Sequence, residues 1–304
     1  MQCIFCHKDS STSKSVEHII PESLGNKEHI LPKGYVCDAC NHYFSVKVES
    51  LLLAQPYFVS MRRRNDIRTK KGNYVAEKML FPGAHKISET RFDLENNILY
   101  ITDDEVVKSI FEGKCHSAIS LYIEEPEYPN REMSRFLAKC AYETIFLYGG
   151  QQDYQLWLQG RDNSNFYFKD LEKLRLFARY GIGDWPYSQR RIYSEGAFFS
   201  YKGGEPYEVL HEQKLFFREV EKIDEHSFMA ELYYVLVISG IEYVISVTDP
   251  DISGYNLWLK EHPGHSPIED DDEVRLDIGM YDVNPLLIKL NDKEKQMRKP
   301  PSIE

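Results

Sequence analysis

The fold is decided by residues 3–41, which contain Cys3-Ile4-Phe5-Cys6, then Glu17-His18-Ile19-Ile20-Pro21, then Cys37-Asp38-Ala39-Cys40-Asn41. Four of the six cysteines of the chain lie in this segment, as two C-x-x-C pairs separated by 30 residues. Each pair can place two thiolates on one tight turn, and two such turns complete a tetrahedral set of four sulfurs for Zn²⁺. The spacing therefore predicts a structural zinc ion bound by Cys3, Cys6, Cys37 and Cys40.

Two disulfides are the alternative use of the same cysteines, and the start of the chain argues against them. Cys3 follows Met1 almost at once, so no signal peptide precedes the pairs. We therefore expect a reducing compartment, in which thiolates bind metal rather than oxidise. No apolar run reaches the length of about 18 residues that spans a bilayer, and the longest candidate is residues 232–238. We expect a soluble, cytoplasmic protein.

The order of these residues resembles the HNH endonuclease motif of the ββα-metal nucleases in its zinc-stapled form. In that family two C-x-x-C pairs enclose an Asp/Glu-His-Ile-x-Pro segment, and an Asn or His follows the second pair. Glu17-His18, Pro21 and Asn41 occupy those places here. The resemblance covers residues 1–50 and implies a strand–strand–helix unit held together by structural zinc.

The resemblance also implies the chemistry of the site. His18 would be the general base that takes a proton from the water attacking phosphorus, a role suited to a neutral imidazole. Glu17 and Asn41 would hold one divalent cation, Mg²⁺ or another, because hard cations prefer oxygen ligands. The structural alternatives are a packed strand histidine for His18 and a helix N-cap for Asn41, and the N-cap is compatible with metal binding.

Two positions depart from the family pattern. The middle Asn, which braces the catalytic loop, usually lies a few residues before the second cysteine pair, but residues 31–36 contain none. Asn26 is the nearest candidate. The last motif position holds Asn41 instead of His, which leaves His42 as an alternative metal ligand. The missing Asn is the one feature that favours a zinc-containing DNA-binding or regulatory protein without nuclease activity.

The whole chain is expected to adopt an α+β fold with two domains. Residues 1–55 should form the small zinc-stapled ββα-metal (HNH) domain, with a helix over residues 41–53 and a boundary at Pro56. Because so short a segment cannot bury an ordinary core, zinc binding would supply much of its folding free energy. Residues 56–304 should form a larger mixed α+β accessory or recognition domain with antiparallel sheet.

Hydrophobic periodicity predicts the elements of the larger region. Helices are predicted over residues 104–111, 131–148 and 169–180. The second is expected to start after Asn130 as N-cap and to stop at Gly149-Gly150. Strands are predicted over residues 74–80, 98–101, 215–217, 228–238, 243–247 and 257–259. Ser239-Gly240 is predicted to be a hairpin turn, and the acidic run 269–273 a solvated loop, since it lacks the ligand spacing of a calcium site.

The formal net charge of −11 is distributed unevenly. Residues 1–72 contain 11 Lys and Arg against 7 Asp and Glu, whereas the remaining residues contain 26 against 41. A basic front on an acidic body suits local binding of phosphate. In residues 61–71 six basic side chains are predicted to contact the DNA backbone without reading sequence, the alternative being a solvated charged turn. They are Arg62, Arg63, Arg64, Arg68, Lys70 and Lys71.

Together these features favour a metal-dependent endonuclease that hydrolyses DNA phosphodiester bonds and is regulated or targeted by its C-terminal region. One site of this kind cuts one strand per event, so cleavage of both strands needs two encounters or a homodimer. RNA cleavage is a weaker alternative, because the site acts on a phosphodiester and not on a sugar or base. Nucleases with an appended domain often serve antiviral defence against foreign DNA, which we take as an analogy. The ligand or protein that the C-terminal region senses stays open.

Overall fold

The computed structural model is a mixed α+β protein in which all paired strands of the described residues are antiparallel. It describes residues 1–93, 95–120, 123–158, 168–195, 197–201, 207–208, 210–222, 228–269 and 273–276. Within those ranges no helix combines the length and the apolar character needed to cross a membrane.

The helices of the described residues are α1 (Asp38–Phe44), α2 (Ser50–Leu53), α3 (Pro56–Arg64), α4 (Asp104–Phe111), α5 (Arg131–Leu158), α6 (Phe168–Tyr180) and α7 (Ser253–Glu261). A π-helical stretch, Ser45–Glu49, joins α1 to α2. Short 3₁₀ turns occur at Glu22–Leu24 and Pro82–Ala84.

The strands of the same residues are β1 (Ala76–Phe81), β2 (Lys86–Asp93), β3 (Ile98–Ile101), β4 (Ile119–Ser120), β5 (Tyr187–Arg191), β6 (Phe198–Tyr201), β7 (Tyr207–Glu208), β8 (His211–Lys222), β9 (Phe228–Ile238), β10 (Ile241–Ser246) and β11 (Glu273–Leu276). They pair in the orders β3-β2-β1-β4, β5-β10-β9-β8 and β11-β6-β7. The predicted α+β class with antiparallel sheet is confirmed.

The N-terminal segment folds as a short hairpin followed by a helix. The hairpin is reduced to one bridge between His18 and Ile30, next to a main-chain hydrogen bond of 3.0 Å from Ile19 N–H to the His29 carbonyl. The two expected strands are therefore present only as bridge residues. The helix begins at Asp38 instead of residue 41, and a carboxylate in the first turn favours this earlier start through the helix dipole.

One hydrophobic core joins the N-terminal segment to α5, α6 and the sheet that contains β9 and β10. Among its buried members are Phe5, Phe44, Phe136, Leu174 and Tyr243. The Phe5 ring lies 4.4 Å from that of Phe44 and 5.1 Å from that of Tyr142 in α5, measured between centroids. Packing is thus continuous across the expected boundary at residue 56, and the division into two domains stays a prediction.

The helix predicted over residues 131–148 corresponds to α5. Its predicted stop at Gly149-Gly150 is wrong, because α5 continues to Leu158. Its start agrees with the prediction, since the Asn130 side chain accepts a hydrogen bond of 3.1 Å from the Met133 N–H. A glycine inside a helix costs about 1 kcal/mol. That cost lowers the stability of a helix without ending it, because a glycine ends a helix where its φ is positive, and Gly149 has no positive φ.

The predicted strand over residues 257–259 is also wrong, because this apolar run lies in α7. Tyr255, Trp258 and Leu259 follow a helical spacing and pack into a second core beside β9. Three apolar residues in a row do not distinguish a strand from a helix.

The other predicted elements are confirmed, with shifts of a few residues at their ends. Helix α4 has the predicted bounds. At the hairpin between β9 and β10, Ser239 and Gly240 have φ values of +48° and +79°, as a type I′ turn requires. The acidic run 269–273 lies mostly outside the described residues.

Candidate active site and zinc cluster

The four cysteines of the two C-x-x-C pairs lie close together. Their Sγ atoms are all within 4.8 Å of one another, and those of Cys6 and Cys37 are 3.6 Å apart. None of the six cysteines forms a disulfide. Sulfurs about 2.3 Å from a tetrahedral zinc ion lie about 3.8 Å from one another. The donor set Cys3, Cys6, Cys37 and Cys40 therefore fits a structural Zn²⁺.

The sulfur cluster is also contacted by α6. Arg179 Nε donates a hydrogen bond of 3.4 Å to Cys40 Sγ, and the Arg179 guanidinium lies 3.6 Å from the centroid of the Tyr43 ring. A cation at this place offsets part of the excess negative charge that four thiolates give a Zn²⁺ site, as outer ligands of a metal commonly do. Sequence reasoning missed this contact because 139 positions separate Arg179 from Cys40.

Asn26 braces the hairpin that carries Glu17 and His18. It is 1% exposed. Its Nδ2 donates to the carbonyls of Ile20 at 2.6 Å and His29 at 3.2 Å, and its Oδ1 accepts from the N–H groups of Glu28 at 3.0 Å and His29 at 3.1 Å. These four bonds use both donors and both lone pairs of the amide. Asn26 therefore braces this loop, and its assignment to the place of the family's middle Asn stays a prediction.

His18 forms the bridge of the hairpin with Ile30, and its side chain is 19% exposed. Its Nε2 is 3.5 Å from Glu22 Oε1, and its Nδ1 is buried without a hydrogen-bond partner among the described residues. Burial lowers the pKa of His18, and the nearby Glu22 carboxylate only partly opposes this. The ring is therefore neutral at neutral pH and can accept a proton.

Glu17 is buried beside His18. Its Oε1 is 2.6 Å from Lys139 Nζ, whereas its Oε2 is buried and has no hydrogen-bond partner among the described residues. Burial raises the pKa of Glu17, and the Lys139 ammonium counteracts that effect. A buried carboxylate oxygen without a partner is costly unless a cation or a proton satisfies it. Glu17 therefore fits the role of a metal ligand.

Asn41 lies in α1, where its Nδ2 donates a hydrogen bond of 3.0 Å to the Val16 carbonyl. This bond fixes the Asn41 amide beside the residue that precedes Glu17. Asn41 is not the N-cap of the helix, because Cys37 occupies that position. His42, the alternative ligand, is exposed.

Comparison with known families gave one match, in the N-terminal segment. Residues 3–56 match the family model described as HNH endonuclease. The N-terminal segment is an HNH domain. Neither curated proteins nor solved structures gave a match to the chain. The family assignment indicates a nuclease-type function and a nucleic-acid substrate.

A buried ion cluster joins the HNH domain to α5, and it was not predicted from the sequence. Lys139 of α5 is completely buried, and its Nζ lies within 3.3 Å of carboxylate oxygens of Glu17, Glu49 and Glu143. One sequence signal could have revealed it: a Lys and a Glu four residues apart within the apolar stripe of a helix, on the same face as Phe136.

The six basic residues predicted to contact phosphate differ in their surroundings. Arg62 is buried, Arg63 forms an ion pair with Glu77, and Arg64 donates two hydrogen bonds, of 2.9 and 2.7 Å, to the Glu195 carboxylate. These three arginines lie in the last turn of α3. Arg63 and Arg64 thus already pair with buried carboxylates.

The remaining three basic residues are more open. Lys70 and Lys71 are exposed, and the Arg68 guanidinium lies 4.4 Å from the centroid of the Tyr74 ring. A groove of about 480 Å³ is lined by residues of the HNH domain, Glu22 among them, and by residues that follow α3, Arg68 and Lys70 among them. Phosphate contact stays a prediction for all six.

Proposed function

We propose that the chain is a metal-dependent endonuclease that hydrolyses phosphodiester bonds of DNA with its HNH domain. One observation carries this proposal: a neutral His18 stands next to Glu17, whose buried Oε2 has no partner among the described residues. Phosphodiester hydrolysis needs a base for the attacking water and stabilisation of the developing charge. A base and a cation ligand on one braced hairpin supply both.

His18 acts as the general base in this proposal. It takes the proton from the water that attacks the scissile phosphorus. The Glu22 carboxylate lies 3.5 Å from Nε2 and has a half-exposed side chain, so this side of the ring faces solvent. Once the proton is taken, the same carboxylate stabilises the imidazolium.

Glu17 and Asn41 are the residues that would hold the divalent cation, Mg²⁺ or another, through side-chain oxygens. The chemistry supplied by such an ion when bound is stabilisation of negative charge on the phosphate and on the leaving oxygen. The structural zinc at the four cysteines would keep the hairpin and α1 in fixed relation to each other.

The DNA backbone is proposed to follow the groove between Glu22 and Lys70. Of the six basic residues, we propose direct phosphate contact for Arg68, Lys70 and Lys71, because Arg63 and Arg64 are engaged with buried carboxylates. Such contacts position a duplex without reading its sequence.

The proposal also covers the regulation, the oligomeric state and the biological role of the nuclease. Residues 56–304 would regulate or target cleavage, and a homodimer would let two sites cut both strands. By analogy with nucleases that carry an appended domain, the protein would act in the cytoplasm in defence against foreign DNA. The alternative, a DNA-binding protein without nuclease activity, rested on the missing middle Asn, and the four hydrogen bonds of Asn26 weaken that argument.

Plasmid nicking tests the proposal. Zinc-loaded protein is incubated with supercoiled plasmid, and separately with RNA, with and without added Mg²⁺; EDTA is left out because it would also remove the structural zinc. We expect Mg²⁺-dependent conversion of the plasmid to nicked circles and no conversion without added Mg²⁺. Plasmid binding without nicking in any divalent metal would support the regulatory alternative, and cleavage of RNA alone would overturn DNA as the substrate.

A further inference from the structure

Lys139 brings an ammonium group from α5 into the base of the HNH domain. Its Nζ lies 2.6 Å from Glu17 Oε1 and 2.9 Å from Glu49 Oε1. It also donates hydrogen bonds of 2.9 Å to the His18 carbonyl and 3.3 Å to the Ile19 carbonyl. One ammonium therefore contacts both the side chain and the main chain of the Glu17-His18-Ile19 segment.

The same ammonium links the two elements that carry the proposed metal ligands. Glu17 belongs to the hairpin, and Glu49 follows Asn41 along the helical segment that α1 begins. Glu143, one helical turn after Lys139 in α5, lies 3.3 Å from Nζ and completes the cluster. Lys139 thus links the hairpin to the helical segment through its contacts with Glu17 and Glu49.

Stability alone does not account for this cluster. Removing charged groups from water costs on the order of several kcal/mol per ion, and apolar replacements of buried ion pairs are often neutral or stabilising. Lys139 and Glu143 are 0% exposed, and the side chains of Glu17 and Glu49 are 5% and 10% exposed. The cluster carries this desolvation cost and lies next to the proposed base and metal ligand. We take this as an indication that it organises the site.

The geometry shows what the ammonium organises. By contacting Oε1 of Glu17 it fixes the rotation of the carboxylate, and Oε2 is left buried without a partner among the described residues. By binding the His18 and Ile19 carbonyls it also fixes the backbone from which the imidazole projects. Positioning groups of this kind act on a metal site through its ligands.

We propose that Lys139 is a positioning residue of the nuclease centre, whose ammonium holds Glu17 and the His18 main chain in the arrangement that binds the divalent cation. This inference rests on the proposed function. It also makes α5, which lies outside the HNH domain, a direct support of the active site.

Four zinc-loaded proteins test the role of Lys139: wild type, Lys139→Met, Glu143→Gln and the double variant. Glu143→Gln is the matched control, because it alters the same buried cluster and leaves the ammonium on Glu17. The double variant removes one positive and one negative group, so the cluster keeps its wild-type formal charge without the ammonium. Zinc content and a cooperative thermal transition by circular dichroism establish that each protein is folded. Mn²⁺ binding is titrated by electron paramagnetic resonance, and plasmid nicking is measured at saturating metal.

We expect Lys139→Met and the double variant to bind Mn²⁺ roughly 10- to 100-fold more weakly than wild type, the range found when outer partners of metal ligands are removed. Nicking should fall in both, and Glu143→Gln should stay close to wild type. If Lys139→Met alone fails to retain zinc, the charge-matched double variant carries the test.

Three results would overturn the role of Lys139 while the wild type binds Mn²⁺ and nicks plasmid. In the first, both Lys139 variants bind Mn²⁺ with the affinity of the wild type. In the second, Lys139→Met binds Mn²⁺ more weakly but the double variant binds it as the wild type does. In the third, Lys139→Met binds Mn²⁺ more tightly than the wild type. The second result would mean that only net charge matters, and the third that the ammonium competes with the metal. A wild-type protein that neither binds Mn²⁺ nor nicks plasmid would instead overturn the proposed function, and this inference with it.

Discussion

Asn26 illustrates, at the scale of single residues, how one side chain can decide the shape of a hairpin. Its amide binds four main-chain groups across the turn that follows His18, and nearly all of its surface is buried. Residue type and approximate position marked it in the sequence. The bonds themselves depend on the path of the loop, which the sequence motif does not specify.

Asn26→Ala should destabilise the protein. The substitution leaves main-chain groups of Ile20, Glu28 and His29 without their partners, and unsatisfied buried groups of this kind cost about 1–3 kcal/mol. We expect the free energy of unfolding in urea, followed by tryptophan fluorescence, to fall by about that amount. Asn256→Ala, on the exposed side of α7, is the control. Equal stability of the two variants would contradict the bracing role.

At the scale of elements, the basic segment 61–71 divides at the end of α3. Arg63 and Arg64 in the last helical turn pair with protein carboxylates, whereas Arg68 and Lys70 beyond the helix line the groove next to the HNH domain. The sequence showed one continuous run of positive charge. Only the position of the helix end separates the arginines that pair with carboxylates from the residues that we propose to contact DNA.

Arg64→Met should lower the stability of the protein, whereas Lys70→Met should weaken its binding of DNA. Loss of Arg64 leaves the 3% exposed Glu195 without its main partner, so the free energy of unfolding should fall by about 3–5 kcal/mol. Loss of Lys70 should leave stability unchanged and reduce the slope of log K against log salt for DNA binding by about 1. Urea unfolding and DNA titrations at several salt concentrations measure the two quantities. An unchanged salt slope for Lys70→Met, together with a reduced slope for Arg64→Met, would contradict this division.

Local signals predicted much of the fold and of the site. The helix over residues 104–111, the turn at Ser239-Gly240 and the four zinc cysteines follow from spacing and turn chemistry within short stretches. The strand predicted over residues 257–259 was wrong because three apolar residues in a row fit a helix as well as a strand. Lys139 and Arg179 were missed for a different reason: they contact residues more than a hundred positions away, and a single sequence does not reveal such pairs.

At the scale of the whole molecule, the HNH domain depends on helices outside it. Its core residues pack against α5 and α6, and side chains of these helices bind its main chain. The Tyr142 hydroxyl donates a hydrogen bond of 3.1 Å to the Ile4 carbonyl, and Lys139 binds the carbonyl of His18. A zinc ion bound by the four cysteines would therefore be one of two supports of this domain, and the packed helices are the other.

A fragment of residues 1–66 should not fold like the intact protein, even with zinc bound. Without α5 and α6 the rings of Phe5 and Phe44 lose much of their cover, and a segment this short cannot replace it. We expect strong binding of an apolar dye and no cooperative thermal transition by circular dichroism, with zinc-loaded full-length protein as the control. A sharp transition close to that of the full chain would show that the domain is independent.

The most direct test of the central claim is the single-turnover rate of plasmid nicking by His18→Ala. His116→Ala, which changes an exposed histidine far along the chain, is the matched control. Removing a general base lowers the rate by about 10²- to 10⁴-fold. General-base catalysis by His18 predicts a loss of that size for His18→Ala, with zinc content and Mn²⁺ binding retained and with His116→Ala equal to wild type. A His18→Ala protein that nicks plasmid as fast as the wild type would contradict it.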